Sequence, residues 1–277
     1  MFSRMRNTAR RRLSCRRLLA KSFALSLGLI GLPAAANAGA VDAHAAYVVN
    51  LAGINIASVD IGFKDDGQHF SVDIGATISG IGQLVARGSA SADAIGSTRA
   101  DRLVASRFDL LTHANGEDFQ VGVQYASGNA TGFQIDPPIV NTIGRIALER
   151  KHLAGVADPV ASFILKAKAL EPELCNRKLK IFTGMERYDI AMSFADAQTA
   201  TSARTGYQGP VILCRLRYIP VSGHYKTSEV TEYLAKSNRM LIWYAPLADS
   251  GYFIPYRILL GTSVGDLSVV LTSLDGV

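Results

Sequence analysis

Apolar and polar residues alternate with period two along most of this chain, and no other feature constrains its fold as much. In "HFSVDIGATI", Phe70, Val72, Ile74, Ala76 and Ile78 fall on one face, and His69, Ser71, Asp73 and Thr77 fall on the other. In "FQVGVQY", Phe119, Val121, Val123 and Tyr125 oppose Gln120 and Gln124. Such segments are half-buried strands, apolar toward a core and polar toward water. "KDDGQ" and "ANGED" read as the turns between them, since Asn-Gly accepts positive φ at low cost. The signal returns in the second half. Tyr188, Ile190, Met192 and Phe194 share a face, as do Ile212, Cys214, Leu216 and Tyr218, with Arg215 and Arg217 opposite. "RMLIWYAPL", "YFIPYRILL" and "LSVVLTSL" complete the strand set, and Pro255 places an edge or a bulge in one of them.

One segment departs from this period. "DPVASFILKAKAL" offers Asp158 as an N-cap and Pro159 at the first helical position, with Val160, Phe163, Ile164 and Ala167 at helical spacing. It predicts an apolar-faced helix between two β-rich halves, and "IVNTIGRIALER" predicts a shorter helical piece before it. The fold class expected is mainly β. It is a strongly curved antiparallel sheet, an open barrel or half-barrel, wrapped around one clear α-helix.

Residues 1–38 read as a cleavable export signal. Arg4, Arg6, Arg10, Arg11, Arg12, Arg16, Arg17 and Lys21 carry no acid among them, and an apolar run from Phe23 to Leu32 and the small residues "AAANA" follow. Cleavage after Ala38 would leave residues 39–277 as one β-rich periplasmic domain with no transmembrane segment. "CRRLLAK" resembles a twin-arginine motif, although the general secretory route is favoured. Losing eight positives turns the net charge of +6 into −2, which removes the basic excess that nucleic-acid binding needs. Two cysteines then remain, Cys175 and Cys214. In an oxidising compartment that count predicts one disulfide, with both sulfurs on the apolar side of their strands and Lys178, Lys180, Arg215 and Arg217 turned outward.

"GVADPVASFILKAKAL", "CNRKLKIFTGMERYDIAMSF", "GPVILCRLRYIPVSGH" and "MLIWYAPL" with "GYFIPYRILLGTSVGDLSVVL" together resemble a family of exported bacterial proteins, domain of unknown function 3108. The pieces that carry the likeness are Asp158-Pro159, Gly184 with Arg187, Tyr188 and Asp189, and the Cys175/Cys214 pair. The resemblance implies an envelope protein of curved antiparallel β architecture, and it brings no catalytic residue with it.

Catalytic motifs are scarce. There is no G-x-S-x-G elbow, and His44, His69, His113, His152 and His224 lack metal-ligand spacing. No cofactor motif is present; "SGIGQLVARG" lacks the third glycine of a dinucleotide loop. "FTGMERYD" is the best local cluster. Arg187 and Asp189 sit at i and i+2 on one strand face, suited either to a polar headgroup or to a surface ion pair. Two functions fit the sequence. The first is a non-enzymatic periplasmic protein whose concave β face holds a lipid or other amphipathic ligand, or docks an envelope partner, with Phe163, Tyr188 and Phe194 as lining. The second is a periplasmic hydrolase acting on envelope material, its residues gathered from distant strands.

Overall fold

The computed structural model describes residues 40–84 and 87–276. The predicted leader and its twin-arginine motif lie outside them. The strands are β1 (Val41–Leu51), β2 (Ile54–Asp65), β3 (His69–Ile78), β4 (Gly88–Thr98), β5 (Leu103–Ala114), β6 (Glu117–Ala126), β7 (Asn129–Asp136), β8 (Leu165–Lys166), β9 (Lys178–Phe182), β10 (Arg187–Ala200), β11 (Gly209–Ser222), β12 (Met240–Pro246), β13 (Tyr252–Thr262) and β14 (Gly265–Asp275), with one α-helix, α1 (Glu229–Lys236). Thirteen of the strands form one antiparallel sheet in the order β7-β6-β5-β4-β3-β2-β1-β14-β13-β12-β11-β10-β9, and β8 pairs with β13.

Neighbouring strands are mostly consecutive because tight turns join them. Ala52-Gly53, Asn115-Gly116 and Ser127-Gly128 each have positive φ at both residues, the geometry that matches the right-handed twist of the flanking strands. The exception is β1, which pairs with β14 from His44 opposite Asp275 to Leu51 opposite Leu267. Pro255 lies at a bulge, since Trp243 pairs with Arg257 while Tyr244 pairs with Pro255. The β14 ladder begins only at Arg257, so the missing N–H costs no rung on that side.

The expected class holds among the described residues: mainly β, one α-helix, and an antiparallel sheet curved until it nearly closes. The helix is elsewhere, however. Residues 137–177 form a strap; over the segment expected to be helical it makes only a 3-10 turn at Ala161–Phe163, and the chain is already extended at Ile164. Asp158 does cap that turn, its Oδ1 accepting from the Val160 and Ala161 amides at 2.8 and 2.6 Å. No helix continues because the segment is buried on two sides. Ala161 and Ile164 belong to one apolar cluster, Phe163 and Leu165 to a second. An extended chain serves both clusters, whereas a helix presents a single apolar stripe. "IVNTIGRIALER" is likewise non-helical until a 3-10 turn at Arg150–Leu153. The actual helix follows Ser228, whose hydroxyl accepts from the Thr231 amide, and a Glu232–Lys236 pair supports it four residues apart. None of its residues is buried, so the sheet is not wrapped around it.

The first cluster lines the concave face of β1–β7 with Tyr47, Phe63, Phe70, Val72, Phe108, Val121, Val123 and Tyr125. The second lies on the inward face of β9–β13, where Ile190, Met192, Ile212, Leu216 and Ile242 pack against the strap's Leu165, Leu174 and Cys175. At roughly 1.5–3 kcal/mol per large buried apolar side chain, the strap is part of the core. The Cys175–Cys214 disulfide fastens it to β11 with Cα atoms 5.4 Å apart. Cys175 ends a 3-10 turn, Pro172–Cys175, just ahead of β9 instead of sitting on the strand.

The sheet closes by rolling, without a ladder between its two edges. Phe182 on β9 meets Phe133 on β7 edge-to-face, ring centroids 5.3 Å apart. The Tyr125 hydroxyl donates to the Phe182 carbonyl at 2.8 Å. The strap bridges the remaining gap, with Val156 N–H bonded to Gly128 O and Ala157 exchanging bonds with Lys180 O and Phe182 N–H. A buried polar clasp joins the halves further along. Asp65 on β2 accepts from Thr98 on β4 and from the Tyr252 hydroxyl on β13.

Candidate functional site

The motif residues Asp158, Pro159, Gly184, Arg187, Tyr188 and Asp189 converge where β9, β10 and the strap meet β6. The Asp158 side chain is 2% exposed. Burial, only partly countered by the Ala161 and Val160 amides, pushes its carboxyl up to about 6. Tyr125 and Tyr188 flank it. Burial first, and charges including Asp158 second, raise both phenols well above their ordinary value. Gly184 turns the β9–β10 hairpin with φ of 87°, and a Cβ there would stand 2.4 Å from Val121 Cγ1. Gly184→Ala is therefore expected to lose about 2 kcal/mol from combined overpacking and left-handed strain, read as a lowered urea midpoint. An unchanged midpoint would show that the hairpin is free to shift off β6.

The expectation of a surface ion pair at Arg187–Asp189 is corrected. Arg187 is 5% exposed and Asp189 6%, because the outer face of β10 tucks against the inner face of the first half at this point. Arg187 Nη1 lies 2.5 Å from Asp189 Oδ1, and Lys178 Nζ lies 2.7 Å from Oδ2. Burial pushes the Asp189 carboxyl upward, but the two cations outweigh it and hold the group below the usual carboxylate range. The pair is a structural anchor for the rolled edge and not an open headgroup site.

Phe163, Tyr188 and Phe194 do not line a common cavity. Phe163 and Tyr188 pack against the second cluster, and Tyr188 leans on Tyr218 with centroids 5.1 Å apart. Phe194 is 36% exposed, set at the bulge between Phe194 and Asp196. The concave face that the sequence offered as a ligand surface is filled by the strap.

A groove opens at the seam instead. Phe133 and Ile135 from β7, Ile146 and Leu148 from the strap, and Met185 from the β9–β10 turn line a space of about 410 Å³, with Arg145 at its side. Arg145 Nε donates to Gly223 O at 2.6 Å and Nη2 to Met185 O at 3.0 Å. Its guanidinium lies 5.6 Å from the Tyr225 ring centroid. Both hydrogen-bond partners are neutral carbonyls, so the positive charge has no ion pair among the described residues. The sequence reading missed this arrangement. Phe133 and Ile135 alternate correctly in "TGFQID", but Arg145 and Met185 come from turns, where no period marks a site.

The histidines are dispersed. His113 Nδ1 lies 2.6 Å from Asp118 Oδ1 on an exposed hairpin, and His152 Nδ1 accepts from the Glu149 amide. Among the described residues, no hydrogen bond links a histidine to a Ser, Thr or Cys side chain, no group of acids, histidines and cysteines is placed to hold a metal ion, and no helix is long and apolar enough to cross a membrane.

Fold and seam define a rolled antiparallel β-sheet protein, barrel-like but open along one edge. In that architecture the chain is similar to a solved beta-barrel-like protein of domain of unknown function DUF1849 from Brucella abortus. The TM-score is 0.54 at 12% identity over 86% of this chain and 99% of that one, a likeness of fold. No family model and no curated protein matches the chain.

Proposed function

We propose that this chain is a non-enzymatic protein of the bacterial cell envelope, exported to the periplasm, that holds an amphipathic anion such as a fatty acid or lipid in the seam groove. The seam carries the reading. It joins an apolar lining to a guanidinium that neutral carbonyls hold in place, and its volume suits a small ligand. An acyl chain would lie along Phe133, Ile135 and Leu148, with its anionic head toward Arg145. The basic leader and the disulfide support the compartment, and the resemblance to the domain of unknown function 3108 family agrees with it. The test is titration of the envelope form with a fluorescent fatty acid at low and high salt. Saturable binding that persists in high salt is expected, because apolar burial supplies most of the affinity. Met185→Asp should weaken it at least tenfold, while Phe194→Ala leaves it unchanged. Absence of saturable binding removes the groove as a ligand site.

A further inference from the structure

The outward face of β10–β13 carries a surface that the groove does not use. The ladders place its residues side by side. Lys178 opposes Ala191, which opposes Arg217. Ser193 opposes Arg215, which opposes Leu241 and then Leu259. Leu213 opposes Trp243, and Trp243 opposes Arg257, whose guanidinium lies 5.3 Å from the indole centroid. The opposite face of the same strands holds the buried Ile212, Cys214, Leu216 and Ile242, so these cations and leucines point out of the core. Lys180, Arg215, Arg217 and Arg257 are exposed, and no carboxylate pairs with them among the described residues.

The first half of the sheet has the opposite sign outside. Asp73 opposes Asp93, which opposes Asp109, on three adjacent strands. Asp60 and Asp136 are exposed on the same side. Like charges directly opposite across a ladder are unfavourable, so the segregation is not a by-product of sheet stability. A domain whose net charge is close to neutral thus presents one acidic and one basic flank.

We propose that the outer face of β10–β13 docks on an anionic phospholipid surface. Unpaired Lys and Arg side chains supply the attraction, with each basic residue near such a surface strengthening partition about fivefold. Leu213, Leu241, Leu259 and Trp243 supply the apolar and interfacial contacts, since the indole ring favours the headgroup level. The acidic flank is repelled and fixes the orientation, leaving the first half of the sheet facing water.

Trp243 is the chain's only tryptophan. It is half-buried against the first cluster and its indole N–H donates to Gln198 Oε1, so a change in its emission on adding vesicles, read against the protein alone, reports contact at this face. The full protein, as recovered from the envelope fraction, is mixed with phosphatidylcholine vesicles with and without phosphatidylglycerol, and with anionic vesicles bearing brominated acyl chains. The expected result is sedimentation with the anionic vesicles only, loss of binding in high salt, and quenching of Trp243 by the brominated lipid. The double variant Arg215→Glu/Arg217→Glu should bind at least tenfold less while keeping the far-UV spectrum and the fatty-acid titration of the unchanged protein. Three results would each overturn the proposal: no sedimentation with anionic vesicles, an unquenched Trp243 in vesicle-bound protein, or full binding by the double variant. An unquenched Trp243 would include attachment through a retained basic leader. A salt-sensitive dimer without vesicles would also overturn it, by assigning the basic face to the acidic flank of a second copy.

Discussion

Replacing both Cys175 and Cys214 with Ala is expected to lower stability by about 4 kcal/mol while leaving the β-sheet spectrum in place. The two cysteines are 39 residues apart, and closing a loop of that size restricts the unfolded chain by about that amount in the chain-entropy account. Both are fully buried between the strap and β11, where trimming sulfur to methyl adds a small packing loss. The native topology survives because other contacts hold the strap. Arg177 donates to the Lys166 and Leu174 carbonyls at 2.7 and 3.2 Å, and Ala157 is bonded to β9 on both sides. Urea unfolding should show the midpoint falling by roughly 1–2 M, with a slope equal to or steeper than the parent's because the uncrosslinked chain unfolds to a more open state. Coincident curves for the variant and the parent would mean that the bond does not constrain the unfolded state.

The second large effect is a pH dependence centred on Asp158. Its carboxyl titrates near 6 in the folded protein against 3.8 ordinarily, because burial disfavours the charge. Below pH about 4 both folded and unfolded chains hold the proton, and the group's contribution is fully present. Between about 4 and 6 the unfolded chain releases the proton while the folded chain keeps it, so stability falls as pH rises. Above about 6 the folded state carries a buried charge, and the accumulated loss is about 3 kcal/mol. Asp158→Asn keeps an oxygen to accept from the Val160 and Ala161 amides and never ionises. The expected result is a variant more stable than the parent at pH 7.5 by up to about 3 kcal/mol and equal to it near pH 4. The difference between the two unfolding curves across pH isolates this group from Asp189, whose lowered titration acts in the opposite direction. A flat difference would mean that the Asp158 carboxyl is not charged at a cost.

The strands were legible because a half-buried strand writes its burial into every second residue. The β3 segment His69–Ile78 and the turn at Asn115-Gly116 fall where alternation and turn chemistry put them. The Cys175–Cys214 disulfide was legible from the cysteine count together with the expectation of an oxidising compartment. The strap was misread because Asp158-Pro159 is a true cap signal and the residues after it have helical spacing. That spacing cannot distinguish one apolar stripe from a chain gripped on both sides. The real helix was overlooked for the converse reason: Glu229–Lys236 buries nothing, so it rests on capping and charge pairing with little periodic signal. Arg187 and Asp189 looked like surface residues because nothing in a strand's parity reveals that its outer face will be rolled inside another part of the same sheet. The seam groove depends on that rolling and was invisible for the same cause.

The place of β1 in the sheet has a consequence for how the protein is made. Its partner on one side, β2, follows it at once, while its partner on the other, β14, comes after every other described strand. The β1 edge from His44 to Leu51 must therefore wait, unpaired, until β14 is delivered. During that interval it presents eight residues of open ladder to any neighbouring strand, the hazard that completed sheets avoid by covering their edges. Two hairpin stacks, β1–β7 and β9–β14, can form from local contacts as they emerge. The step that unites them is late and joins residues more than 200 positions apart. A holding factor that shields an extended edge until β14 arrives would act on this protein at β1.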